Sequence, residues 1–234
     1  PNPIRAFKIE ALVSRWAYLT AISVPNMSGD LTAVFHSLPM SCPALESLLF
    51  GGRVRAMWDA VARAMHTSSS LSKIYFGGQI DFERGYFNPD DINHAQSKND
   101  STGSALSDLT VLGGMHSRAI LDMRKLLTGL RALRLDRFTH VHMRALLFCL
   151  QSCVERDHDD VAIQALSLEL KGSPFVSQVE VVSAVKLCPH LRELSVSNLH
   201  EVGRPLISVL QHIAPQLAAV ELRDYANYNS GQPT

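Results

Sequence analysis

An apolar triad spaced as L-x-x-L-x-L recurs along this chain, and few folds accommodate such a repeat. It occurs at Leu45, Leu48, Phe50, at Leu71, Ile74, Phe76, at Leu106, Leu109, Val111 and at Leu130, Leu133, Leu135. It returns at Ile163, Leu166, Leu168, at Leu191, Leu194, Val196 and at Leu217, Val220, Leu222, with a weaker copy at Trp16, Leu19, Ala21. First positions succeed one another at intervals of 24 to 35 residues. An internal period of that size is long enough for one strand, one helix and two turns, and marks an architecture of stacked coils. Alternate residues of a strand share a face, so the last two apolar residues of each triad point inward together. The three-residue first step places a bend just ahead of each strand.

The segments between triads carry helical periodicity. Val54, Met57, Trp58, Val61, Ala62 and Met65 fall on one helix face, as do Leu31, Val34, Phe35 and Leu38. Further stripes are Ile120, Met123, Leu127; Val141, Ala145, Phe148; Val179, Val182, Leu187; and Leu206, Val209, Leu210, Ile213. Pro205 suits the first turn of the last of these. Glycine pairs follow three strands, at Gly51-Gly52, Gly77-Gly78 and Gly113-Gly114, and predict tight turns toward the helices. Pro43, Pro189 and Pro215 each stand two residues before a triad and end the preceding helix.

No single coil of this kind buries its own apolar face, so neighbours must stack to share a core. The expected fold is α/β: a leucine-rich-repeat solenoid, a horseshoe arc with parallel strands on the concave face and helices on the convex face. Residues 1–234 are expected to form one such domain of about seven to eight irregular repeats. The N-terminus conflicts with this pattern, because Ile4, Phe7 and Ile9 also match the triad only 12 residues before Trp16. Asp81–Ser104 reads as a long loop, with Phe82, Tyr86 and Phe87 tucked onto the domain. Glu155–Asp160 reads as an acidic surface loop. The chain opens on Pro1 rather than Met, from which a longer polypeptide is expected.

Composition limits the function classes. Hydrophobic residues make up 46% of the chain, enough to fill a core. Lys+Arg and Asp+Glu both number 22, a neutral balance without the electrostatic footprint of a nucleic-acid or anionic-membrane binder. No apolar run approaches the roughly 18 residues that span a bilayer. The four cysteines, Cys42, Cys149, Cys153 and Cys188, read as reduced, buried thiols, which fits a cytoplasmic or nuclear setting. Cys149 and Cys153 stand near His140, His142, Asp157 and His158, but the spacing does not match a zinc site. No G-x-S-x-G, H-E-x-x-H or G-x-x-x-x-G-K-[ST] occurs, and the reading expects no enzyme, no metal and no cofactor.

The segments SCPALESLLF and LCPHLRELSV resemble the C-P-x-L-x-x-L-x-L units in the leucine-rich repeats of F-box proteins, especially fungal ones. The resemblance implies substrate-recognition repeats of a ubiquitin-ligase adaptor. A helical F-box outside these repeats would then bind the ligase's small adaptor subunit. A leucine-rich-repeat regulator of another class, of the GTPase-regulator or immune-receptor type, and a structural scaffold are the alternatives. In the scaffold the helix face carries the contacts; in the other readings the candidate partner-binding residues flank the inward positions of the strands: Lys73, Tyr75, Arg134, Asp136, Glu169, Glu193, Glu221 and Arg223. Their mixed charge suits a protein partner rather than a phosphate polymer.

Overall fold

The computed structural model describes residues 4–13, 15–83, 105–113, 115, 117–157, 161–171, 176–199 and 204–224. The chain forms two compact units, Pro1–Met115 and His116–Thr234. Both alternate strand and helix, and every strand pairing described is parallel. The fold is therefore α/β, built from parallel strands with helices between them.

In the first unit the order is β1 (Ile4–Arg5), α1 (Ala6–Val13), β2 (Ala21–Asp30), α2 (Thr32–Ser41), β3 (Ser47–Met57), α3 (Trp58–Thr67), β4 (Lys73–Phe76), β5 (Gln79–Glu83) and β6 (Asp108–Val111). The inward triad residues are aligned in register: Ile22 beside Leu48 beside Ile74 beside Leu109, and Val24 beside Phe50 beside Phe76 beside Val111. All eight are buried. The ring of Phe50 lies 6.0 Å from Phe35 and 6.4 Å from Phe76, and Phe82 lies 5.6 Å from Phe76 and 5.1 Å from Trp58. Stacked aromatics thus hold successive coils together.

β4 and β6 do end at Phe76 and Val111, ahead of the glycines that follow them, but two expectations fail nearby. The strand does not end at Gly51-Gly52; β3 runs through it for 11 residues, and its second half pairs with β5 over Arg53–Met57. Val54 and Met57 are accordingly strand residues, and the helix begins at Trp58. The glycines form a corner where coils approach backbone to backbone: a Cβ on Gly78 would overlap the Gly52 carbonyl oxygen, and one on Gly52 the Met27 carbonyl oxygen. The second correction concerns residues 81–83, the start of the expected loop, which belong to β5 instead, with Phe82 buried as the tucked reading expects. Tyr86, Phe87 and the rest of that loop, residues 84–104, lie outside the described residues.

The N-terminal conflict also resolves. Phe7 and Ile9 belong to α1, and Trp16 is 53% exposed ahead of β2. The repeat there is Leu19, Ile22, Val24, three residues beyond the weak copy noted from the sequence, and it restores an even interval of 26 to Leu45 and again to Leu71.

In the second unit α4 (Ser117–Asp122) and α5 (Arg124–Leu127) lead to β7 (Ala132–Phe138) and α6 (His140–Ser152). β8 (Ala165–Leu170), α7 (Gln178–Lys186), β9 (Glu193–Leu199), α8 (Arg204–Ile213) and β10 (Ala219–Asp224) follow. Cys153–Asp157 continues α6 as a π-helical turn, where the sequence suggested the start of an acidic loop. Residues 158–160 of that loop, with His158, lie outside the described residues. Leu133, Leu166 and Leu194 align in register with Val220, and Leu135, Leu168 and Val196 with Leu222. Val220 is 45% exposed because no further coil covers β10 among the described residues.

Two helix stripes are out of phase with the structure, and a third matches it except at one edge residue. On α6 Val141 and Phe148 face outward, and Met143, Leu146, Cys149 and Leu150 are buried instead. On α7 Val179 is 73% exposed, and Val181, Ala184 and Val185 make the buried face. On α8 Leu206 and Leu210 are buried while Val209 is exposed, and Pro205 does stand in the first turn. A sequence stripe spans a sector wider than the one a neighbouring coil covers, so its edge residues remain in water.

A recurring rung confirms the coil-to-coil register. Just before each of several strands, two successive N–H groups donate to one carbonyl of the preceding coil. Glu46 and Ser47 donate to Thr20, Ser72 and Lys73 to Glu46, and Ser107 and Asp108 to Ser72. In the second unit Gln164 and Ala165 donate to Arg131, Arg192 and Glu193 to Gln164, and Ala218 and Ala219 to Arg192. The coils therefore satisfy one another's backbone groups as well as sharing apolar surface.

Candidate functional site: the outward face of the strands

The residues that alternate with the inward leucines form the face of each sheet that turns away from the core. In the first unit this face carries Lys73, exposed, and Tyr75, half-buried. Register sets Ser23, Leu49, Tyr75 and Thr110 in one row. The Tyr75 ring lies against Gly77, where a Cβ would overlap it. The absence of a side chain at Gly77 is thus what lets the ring fold down over the sheet.

The other six predicted residues all belong to the second unit, where register brings them into rows. Arg134, Ser167, Ser195 and Glu221 form one row, and Glu169, Ser197 and Arg223 a second. Glu193 lies beside Ala165 and Ala219, in a row with small neighbours. Asp136 stands where the β7–β8 register slips between Leu135 and Phe138. All six are exposed except Asp136, which is half-buried.

The charges on this face interact. Arg223 Nε donates to Glu221 Oε1 at 2.9 Å, and Ser195 Oγ donates to Glu221 Oε2 at 3.1 Å. Those hydrogen bonds hold the Glu221 carboxyl below its ordinary value. Glu169 is pushed the other way. Partial desolvation, then the adjacent Asp136 carboxylate with which it shares a hydrogen bond, raise it against the pull of Arg134 and Arg137. Two carboxyls and two guanidinium groups therefore meet where β7 and β8 end.

Sequence reasoning missed Ser167, Ser195, Ser197 and Arg137. The serines obey the same alternation as the charged residues, so the spacing alone identifies them. Arg137 has φ 55°, a left-handed backbone, on the extra residue of β7 that causes the register slip. Asn198, with φ 63°, occupies the matching slip of β9, and its Nδ2 donates to the Leu170 carbonyl at 3.1 Å. Nothing in a run of residues announces an inserted position of that kind.

The interior offers little reactive chemistry. The four cysteines are free and buried. The Cys42 thiol donates to the Val13 and Trp16 carbonyls at 3.4 Å each, and Cys149 donates to the Ile120 carbonyl at 3.4 Å. Burial pushes the thiols of Cys149 and Cys188 up to about 12 and that of Cys42 upward as well. Such thiols are poor nucleophiles and poor metal ligands. His142, weighed as a ligand, accepts the Thr139 N–H on Nδ1 at 3.1 Å, closing the first turn of α6. Among the described residues no three metal-binding side chains gather, and no helix is long and apolar enough to cross a membrane. In comparisons with protein-family models and with curated proteins, the chain matches none significantly.

Proposed function

We propose that this chain is a leucine-rich-repeat solenoid that binds another protein through the outward face of its strands. Its specific role in this reading is substrate recognition for an F-box-type ubiquitin ligase, in the cytoplasm or nucleus. The observation that carries the proposal is the pair of rows in the second unit. Exposed charges of both signs stand in register with serines, on a sheet whose other face carries the buried leucines of the core. Alternating small polar and charged groups on a rigid sheet give directional recognition, and mixed sign favours a protein surface over an anionic polymer. The C-P units support the F-box reading, because in both of them the cysteine is a buried thiol just ahead of a strand. Contact with the ligase's adaptor subunit would fall to a segment other than the repeats.

The test is affinity capture from a cell extract with three baits. These are the wild-type chain, Arg134→Glu combined with Glu193→Arg, and the helix-face control Arg144→Glu. Partners lost only with the double variant support the reading, and ubiquitin-ligase subunits among co-purifying proteins support its specific form. Partners kept by the double variant and lost with Arg144→Glu would move the interface to the helices and overturn it.

A further inference from the structure

Strand β7 carries one residue more than the strand beside it. Leu135 pairs with Leu168 and Phe138 with Leu170, so Asp136 and Arg137 together face the single residue Glu169. The extra residue is Arg137, whose backbone is left-handed at φ 55°. A side chain in that conformation crowds its own backbone, and glycine, asparagine and aspartate tolerate it best. The other left-handed positions among the described residues follow that rule. Gly29 and Gly52 carry no side chain. Asn198, the extra residue of β9, is half-buried, and its Nδ2 is tied to the Leu170 carbonyl. Arg137 does not follow it. Its side chain is exposed, and its guanidinium makes no hydrogen bond among the described residues. Its backbone N–H donates to Asp136 Oδ1 at 2.6 Å, a bond open to any residue except proline. Its charge pulls on the Glu169 carboxyl, but Arg134 pulls on the same group. The fold therefore gains little from an arginine where asparagine or glycine would serve.

We infer that Arg137 is a specificity-determining residue of the outward sheet face, and that its guanidinium binds a carboxylate on the partner protein. The inference rests on the reading of that face as the binding surface. Strain of this kind persists where the residue serves something other than the fold, and an inserted residue near a strand end re-aims its side chain. The guanidinium presents paired N–H donors in one plane, which match the two oxygens of a carboxylate. Asp136 and Glu169 stand beside it. Their negative charge repels a doubly charged phosphoryl group about twice as strongly as a carboxylate, which favours the carboxylate as the bound group.

The experiment combines thermal unfolding with partner capture, using the 234-residue chain and three substitutions at one position. Arg137→Gly removes the strain and the guanidinium together. Arg137→Lys and Arg137→Gln keep the strained backbone, the first with a charge and the second without. Unfolding is followed in about 0.5 M salt, which screens the pull on Glu169. Arg137→Gly is expected to melt at or above the wild-type temperature. It should also capture at least about tenfold less of the partners that the Arg134→Glu, Glu193→Arg chain loses. Arg137→Gln should lose them as well, and Arg137→Lys should keep part of the binding. A lower melting temperature for Arg137→Gly overturns the inference, because the side chain then serves the fold. Capture by Arg137→Gly equal to wild type overturns it too. If the Arg134→Glu, Glu193→Arg chain still loses partners in that case, the reading of the face survives; if it keeps them, both fail. A wild-type chain that captures nothing also overturns both. Capture by Arg137→Gln equal to wild type overturns the carboxylate, because an uncharged donor then suffices.

Discussion

Gly52 and Gly78 stand where adjacent coils of the first unit approach closely, each Cα facing a carbonyl oxygen with no room for a methyl group. Gly52 also has φ +94°, a conformation that L side chains rarely adopt. Gly52→Ala should therefore cost about 2 kcal/mol or more by chemical denaturation. A loss under about 0.5 kcal/mol, the range of ordinary surface changes, would contradict the close approach. On the outward face, the raised Glu169 carboxyl means that the folded chain holds this proton more tightly than the unfolded one. Its contribution to stability is full below the ordinary carboxylate range and is lost as pH rises through the raised value. Glu169→Gln fixes the uncharged form, so its melting temperature relative to wild type should climb between pH 4 and pH 7. Parallel curves for the two proteins would rule out the Asp136–Glu169 interaction as drawn.

At the scale of elements, what the strands required was easier to read than what the helices required. A strand's inward positions are fixed by a two-residue alternation, and burial of Leu48, Ile74, Leu133 and Leu194 follows it. A helix's buried sector depends on how the next coil lies against it, which is why Val141, Phe148 and Val179 face water. Helix starts depend on local chemistry that can be tested directly. Ser177 Oγ accepts the Glu180 N–H at 3.2 Å, and Glu180 Oε2 accepts the Ser177 N–H at 2.8 Å, a reciprocal cap on α7. Ser177→Ala should destabilise the chain by about 1 kcal/mol. An equal effect from Ser167→Ala, a sheet-face serine with no capping role, would show that the cap is not the cause.

For the whole molecule, stability rests on contacts between successive coils, since no coil has a core of its own. Leu133 and Leu194 are 1% and 2% exposed, Leu133 paired in register with Leu166 and Leu194 with Leu166 and Val220, so Leu→Ala at either should cost roughly 2–5 kcal/mol in a denaturant titration. The buried thiols report opening events in both units, with Cys42 in the first and Cys149, Cys153 and Cys188 in the second. A thiol-reactive dye should label none of them faster than the coils open, and the rates should rise as Leu194→Ala loosens the second unit. Labelling within seconds under native conditions would mean that the thiols are not enclosed.

The sequence by itself determined the α/β class, the alternation of strand and helix over most of the chain, the inward leucines and the outward residues between them. All of these follow from two periodicities and from turn residues that act over a few positions. Only the tertiary structure decided three further things. It turned the first glycine pair from a strand end into a close approach inside β3, because its meaning lies in the carbonyl of another coil. It selected Leu19, Ile22 and Val24 over the overlapping triads nearby, because pairing with Leu48 and Phe50 fixes a register that spacing leaves open. It also joined Arg134 to Glu221 across two serines, residues 33, 28 and 26 positions apart in turn, which share a row only because the coils between them stack in parallel.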